Sequence, residues 1–293
     1  MKNFAYFEPK TIEEASRLLI EHGDKAKLLA GGTDLLPVLK EGEVTAQYLI
    51  SLEKIANLSG IRYDDEGGLS IGALTKIRDI EKSDIIREKY VALSEAAEVI
   101  GSVQIRNLST IGGNICHASP AADTAPALLA YGALVKIEDN NGGRTIPVEA
   151  FHLGPGKTAL ETGEIVTSFI LPPQKSHCGA NYIKLAIRRL MDLAFVGVAA
   201  AVTMDKGVIS EVKIGLGAVA PTPIRATNAE AILRGKALDN DTLAKAGDAA
   251  SQQACPISDL RASADYRRRM VKVLTMRALQ KAIERTNSGL FFK

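Results

Sequence analysis

The sequence has no tryptophan, and it holds only 3 cysteines and 4 histidines in 293 residues. The missing tryptophan excludes nothing. The cysteines, Cys116, Cys178 and Cys255, are far apart, and three thiols cannot all pair. A reducing compartment is therefore favoured over a disulfide framework. Three cysteines at this spacing cannot hold an iron–sulfur cluster by themselves. The pairs Cys116-His117 and His177-Cys178 do not follow the ligand spacing of a structural zinc site. The histidines stand in no Ser-His-Asp or Cys-His ordering and beside no elbow motif, so nucleophilic hydrolysis is not indicated. Excess charge is missing too. A net charge of +2 gives no reason to expect nucleic acid or an anionic membrane as partner. No apolar run is long enough to span a bilayer. The opening Met1-Lys2-Asn3-Phe4-Ala5-Tyr6-Phe7-Glu8-Pro9 has no apolar core of a secretory leader. These absences lead us to expect a soluble, cytoplasmic protein.

What is present is ordinary globular composition, 46% hydrophobic and 24% charged, at a length that admits two domains. Phe4 and Tyr6 suggest a short strand before Pro9. Thr11 reads as the N-cap of a helix that ends at Gly23. Lys27 to Ala30 and Tyr48 to Leu52 read as strands, with a short helix capped by Thr33 between them. A hairpin turns at Asp64-Asp65-Glu66-Gly67-Gly68. Helical patterns follow from Thr75 and over 91–99, then the segment 103–107, a loop over 110–114 and an apolar helix over 124–131. A composition shift at Pro172-Pro173 marks a domain boundary. Beyond it, 181–189 and 193–204 read as strands, or a strand and an apolar helix. A strand is expected over 208–220, then helices over 226–233, 242–252 and 264–285.

Two stretches point to chemistry. Leu28-Leu29-Ala30-Gly31-Gly32-Thr33-Asp34-Leu35 is an apolar run, a Gly-Gly turn, a hydroxyl and a carboxylate. Thr110-Ile111-Gly112-Gly113-Asn114 repeats the idea, and Ala118-Ser119-Pro120-Ala121-Ala122-Asp123 follows it. Adjacent glycines remove two Cβ atoms and permit positive φ, so backbone N–H groups can converge on an anion. Two such loops would suit the two ends of a diphosphate cofactor. Other signals weigh less. Gly215-Leu216-Gly217-Ala218-Val219-Ala220 matches a dinucleotide fingerprint, but Pro221 and Pro223 bar the helix it must open, so a core strand is the better reading. Gly154-Pro155-Gly156-Lys157-Thr158 lacks the first glycine of a phosphate loop, where Phe151 stands, and reads as a surface loop. The basic run Arg267-Arg268-Arg269 reads as a solvated or subunit-facing helix. Cys116 invites a redox or covalent-flavin role, but a buried small apolar residue is preferred.

The paired loops and their Ala-Ser-Pro…Asp tail resemble the FAD-binding subunit of the molybdenum hydroxylases, the flavoprotein chain of the xanthine dehydrogenase and carbon monoxide dehydrogenase type. The resemblance covers nearly the whole chain. It runs from Phe7-Glu8-Pro9-Lys10-Thr11 through both loops to Gly154-Pro155-Gly156-Lys157-Thr158, Glu164-Ile165-Val166 and Asp259-Leu260-Arg261. It implies an α+β fold. A PCMH/VAO-type FAD-binding domain would cover 1–175, in two α/β subdomains of about 1–55 and 56–175. A C-terminal α/β domain of the CO dehydrogenase flavoprotein type would cover 179–287.

The resemblance also implies a site. Leu28, Leu29, Ala30, Gly31, Gly32, Thr33, Asp34 and Leu35 would wrap the pyrophosphate through backbone N–H groups and the Thr33 hydroxyl. Thr110, Ile111, Gly112, Gly113 and Asn114 would hold its other side and the approach to the flavin. Asp123 would take sugar or ribityl hydroxyls, Val166 would touch the cofactor through its backbone, and Lys184 would lie near the flavin. Ile100 falls where some relatives carry an aromatic residue over the ring. No catalytic residue and no metal ligand is implied in this chain. The implied role is electron transfer. Electrons would come from [2Fe-2S] clusters on a small partner subunit, fed by a molybdopterin centre on a large one, in a dimer of heterotrimers. They would leave to NAD, a quinone or another acceptor. A stand-alone FAD-dependent oxidoreductase of the same flavin fold, and a helper that has lost its flavin, remain the alternatives.

Overall fold

The computed structural model describes residues 3–287 except Arg189 and Leu238. Met1, Lys2 and Arg189, the last residue of the strand expected over 181–189, lie outside the described residues.

A sheet of three parallel strands opens the chain. The elements are β1 (Ala5–Phe7), α1 (Ile12–His22), β2 (Ala26–Leu29), α2 (Leu35–Glu41) and β3 (Tyr48–Ser51), with strand order β1-β3-β2. Parallel strands need crossovers, and α1 and α2 supply them. α1 starts where its chemistry says it should, because the Thr11 hydroxyl accepts from the Glu14 N–H at 3.2 Å. α2 starts later than expected. It begins at Leu35 after Asp34, and no side chain caps it.

The central sheet is antiparallel. It is reached through β4 (Ile61–Asp64), β5 (Gly68–Gly72), α3 (Ile77–Lys82), α4 (Asp84–Lys89), α5 (Val91–Glu98), α6 (Val103–Leu108), α7 (Ile111–Cys116) and α8 (Thr124–Tyr131). Then come β6 (Leu134–Glu138), β7 (Gly143–Pro147), the small hairpin β8 (His152–Gly154) and β9 (Lys157–Thr158), and β10 (Ile165–Leu171). The strand order is β4-β5-β10-β6-β7.

The stretch over 110–114, expected as a loop, is the N-cap and start of a helix, α7, and 103–107 belongs to α6. Ser102 caps α6 by accepting from Ile105 N at 3.3 Å, and Thr110 caps α7 by accepting from Gly113 N at 3.0 Å. Neither Gly112 nor Gly113 has positive φ. A glycine in a helix costs about 1 kcal/mol against alanine. Tertiary approach overrides that here, since a Cβ on Gly112 would lie 2.6 Å from the Ala73 carbonyl oxygen.

The last unit is the meander β11 (Cys178–Leu185), β12 (Val196–Asp205), β13 (Val208–Gly217) and β14 (Ile224–Arg225), followed by α9 (Thr227–Leu233), α10 (Asn240–Gln253) and α11 (Ala264–Asn287). β12 explains why its segment also read as a possible helix. Val196, Val198, Ala200 and Val202 face the core under α9–α11, while Ala199 joins the central core on the other side. A strand buried on both faces loses its polar alternation. Gly215 and Gly217 sit inside β13, against Pro126 of α8, as the core-strand reading required. Every residue of α8 is buried, which suits a helix apolar all round between two layers.

Arg267 corrects the solvated reading of its run. It is 4% exposed, its Nη1 donates to Ala218 O at 3.2 Å, and its Nη2 lies 2.7 Å from Asp259 Oδ1. The two halves of the chain are also joined by Glu95. Its carboxylate accepts from Asn181 Nδ2 at 2.9 Å, Tyr182 N at 2.8 Å and Arg285 Nη2 at 2.6 Å.

Candidate functional site

The first Gly-Gly segment is the connection from β2 to α2. The backbone N–H groups of Gly31, Gly32, Thr33 and Asp34 donate to no group of the described residues. Gly32 has φ +71°, a conformation side chains resist. Gly31 is required for a different reason. A Cβ there would lie 2.2 Å from the Leu108 carbonyl oxygen and 2.9 Å from Ser109 Cα. The first Gly-Gly segment thus meets the chain just ahead of the second, with the row of unengaged donors lying against the end of α6. Beside that meeting point the buried Ser109 Oγ has no hydrogen-bond partner among the described residues.

The second segment departs from the anion-cradle expectation. Ile111 N donates to Thr75 O at 3.1 Å, Gly112 N to Ala73 O at 2.8 Å, Gly113 N to Thr110 Oγ1 and Asn114 N to Thr110 O at 3.0 Å. These N–H groups are engaged within the protein. What α7 retains is the Asn114 amide, whose Oδ1 accepts from Thr124 Oγ1 at 2.6 Å. Val166 lies in β10, 4% exposed and paired with Ile137. It connects to this region through its neighbour, since Thr167 O accepts from Ala73 N at 2.9 Å.

The third part comes from the start of α8 and from β11. Asp123 is 7% exposed. Its Oδ1 accepts from the Tyr182 hydroxyl at 2.7 Å, and its Oδ2 from Lys184 Nζ at 2.8 Å. Burial pushes the Asp123 carboxyl above its usual range, and the Lys184 charge and both bonds pull the other way. Lys184 also donates to Val99 O at 3.1 Å. The next two carbonyls are held as well. Ile100 O accepts from Arg106 Nη1 at 3.0 Å, and Gly101 O from Met191 N at 3.2 Å. The backbone on both sides of Ile100 is therefore held, as is its own carbonyl. Arg106 is anchored in turn by Glu81, at 2.7 Å. Burial works to raise the Glu81 carboxyl, but the bonds from Arg78 and Arg106 outweigh it and leave it below the usual range. Cys116, at the end of α7, is the opposite of a reactive thiol, because burial pushes it up to about 12. Among the described residues no three His, Cys, Asp or Glu side chains group to hold a metal ion.

Comparison with known proteins decides the family. The FAD binding domain in molybdopterin dehydrogenase matches residues 2–174, and the CO dehydrogenase flavoprotein C-terminal domain matches residues 181–282. The chain belongs to the FAD-binding subunits of the molybdenum hydroxylases. It is 36% identical over 285 residues to the xanthine dehydrogenase FAD-binding subunit of Escherichia coli O157:H7, covering 97% of each chain. It is 38% identical over 280 residues to the carbon monoxide dehydrogenase medium chain of Hydrogenophaga pseudoflava, covering 95% of this chain and 96% of that one. In three dimensions it matches a chain of carbon monoxide dehydrogenase from H. pseudoflava with a TM-score of 0.93, over 97% of this chain and 98% of that chain. The α+β architecture, the family's FAD cofactor and its oxidoreductase class all follow.

For a molybdenum hydroxylase flavoprotein subunit, the residues expected from sequence fall into one connected region. Leu28 and Leu29 end β2, Ala30 to Asp34 form the donor loop, and Leu35 begins α2. Thr110 to Asn114 form the start of α7, reached from the loop through Leu108. Lys184 joins Asp123 to the carbonyl of Val99, the residue before Ile100. Sequence reasoning missed Tyr182, Thr124, Ser109 and the Arg106–Glu81 pair. Tyr182 had a usable signal, since residues two apart on a strand share a face and Lys184 was already singled out.

Proposed function

We propose that this chain is the FAD-carrying electron-transfer subunit of a molybdopterin-dependent hydroxylase or dehydrogenase. The observation that carries this reading is the approach of Gly31 to Leu108, which sets four unengaged backbone donors beside the end of α6. These residues fit the group. Free N–H donors and a cradle that a Cβ would fill suit a diphosphate, and an orphaned serine hydroxyl waits beside them. In this reading the loop over 28–35 binds the pyrophosphate, with Thr33 adding a hydroxyl, and Asn114 and Asp123 take further cofactor oxygens. Lys184, Ile100 and the backbone of Val166 border the ring. FAD, when bound, supplies the exchange between one-electron and two-electron carriers, while the chain positions and shields it.

The same reading divides the chain into an FAD-binding domain over 1–175, with parts of about 1–55 and 56–175, and a C-terminal domain over 179–287. It assigns the [2Fe-2S] clusters to a small partner and the molybdopterin to a large one, in a dimer of heterotrimers. It takes NAD, a quinone or another carrier as acceptor. The cytoplasm is the compartment, in keeping with three widely spaced cysteines. Among the described residues no helix is long and apolar enough to cross a membrane.

The test is the visible spectrum of the natively purified protein, with whatever co-purifies, before and after acid release. Releasable FAD together with iron–sulfur absorbance is the expected result. Releasable FAD alone, with turnover by the single chain, would replace this reading with a stand-alone oxidoreductase. A folded protein that neither carries FAD nor takes it up would overturn it.

A further inference from the structure

With the N–H groups of Ile111 to Asn114 engaged inside the protein, the second Gly-Gly segment still has its side chains to offer a ligand. Asn114 carries the one amide on this helix, and it is partly exposed. Thr124, one residue past Asp123, is fully buried. A buried hydroxyl needs an acceptor for its hydrogen, and Thr124 Oγ1 has Asn114 Oδ1 at 2.6 Å. That bond decides which way the amide faces. With Oδ1 held by Thr124, Nδ2 and its two N–H donors stand at the opposite edge of the planar amide.

We propose that Thr124 is a positioning residue for the cofactor, holding the Asn114 amide so that Nδ2 is presented to an acceptor oxygen of the bound dinucleotide. The inference rests on the FAD reading above. The hydroxyl acts by fixing a direction. Without it the amide is free to rotate and offer its oxygen to a ligand whose phosphate and carbonyl atoms are acceptors themselves. The start of α8 then serves the site twice, through the Asp123 carboxylate and, one residue later, through Asn114.

The experiment is a double-variant cycle on the intact, deflavinated assembly, titrated with FAD and read by flavin fluorescence. Loss of one directed hydrogen bond predicts that Thr124→Val raises the FAD Kd about tenfold, while Thr124→Ser, which keeps the hydroxyl, stays within about twofold. Asn114→Ala should weaken FAD to a similar extent, and adding Thr124→Val to it should change the Kd by less than about twofold. Full additivity in the double variant would show that Thr124 acts elsewhere and would overturn the proposal. So would a Thr124→Val protein that binds FAD like the wild type. A wild-type assembly that never binds FAD would instead bring down the FAD reading itself. If Thr124→Val does not assemble, Thr124→Ala carries the same expectations, with Thr124→Ser as the rescue.

Discussion

Lys184 Nζ and Asp123 Oδ2 stand 2.8 Å apart, each side chain 8% exposed, across the junction between β11 and the start of α8. The lysine belongs to the C-terminal meander and the aspartate to the region bearing the Gly-Gly segments. The pair therefore holds the two halves together at the candidate flavin site. Removing one partner of a buried pair leaves the other charge uncompensated, at a cost of about 3–5 kcal/mol. Lys184→Met should lower unfolding stability by that order in a urea titration, and Lys184→Met with Asp123→Asn should recover part of the loss. A single variant as stable as the wild type would mean the pair does not hold the junction.

Gly31 offers a test of the meeting between the first segment and the end of α6. A methyl group at 2.2 Å from the Leu108 oxygen has to push the loop off α6. Overpacking of this kind costs about 1–3 kcal/mol. Gly31→Ala should therefore melt lower and purify with less FAD than the wild type, measured as the flavin-to-protein absorbance ratio. Unchanged flavin content would separate the loop contact from cofactor binding.

Acid sensitivity should appear at Asp259. Its bond from Arg267 comes first among the causes that hold its carboxyl down, at about 2 against an ordinary 3.8. A group whose pKa is depressed in the folded state adds stability above its unfolded pKa and loses it as pH falls through the folded one. The stability difference between the wild type and Asp259→Asn should be constant near neutrality. It should shrink between pH 3.8 and about 2, in urea titrations at stepped pH. A difference that persists at the acid end would remove Asp259 as its source.

The three thiols should react unequally. Burial pushes Cys116 up to about 12 and Cys178 up to about 11, while Cys255 is exposed. Because the thiolate is the nucleophile, alkylation of the native protein at pH 8 should modify Cys255 and spare the other two, as read by peptide mass spectrometry. The same low reactivity predicts that acid releases the flavin intact. A covalent adduct at Cys116 would contradict it.

Much of the fold was legible from local chemistry. Thr11 announced α1, and the very apolar run over 124–131 announced a helix, which the fold buries on every side. The glycines of β13 were separable from a nucleotide loop because Pro221 and Pro223 follow them. The errors have physical causes. α7 was hidden because paired glycines disfavour helix, although Thr110 stood at its N-cap position. Arg267 looked solvated within a basic run because its acceptors, Ala218 O and Asp259, lie on other segments.

By itself, the sequence determined where helix caps stood and which family the paired loops belong to. Those properties reside in single residues and their neighbours. Only the tertiary structure decided which backbone donors stayed free. The N–H groups of Gly31 to Asp34 find no partner among the described residues, whereas those of Ile111 and Gly112 are taken by Thr75 and Ala73. It also decided that Asp123 faces Tyr182 and Lys184, and that Asn114 faces Thr124. A hydrogen bond between distant segments depends on how the sheets and helices pack, and that packing is a property of the whole chain.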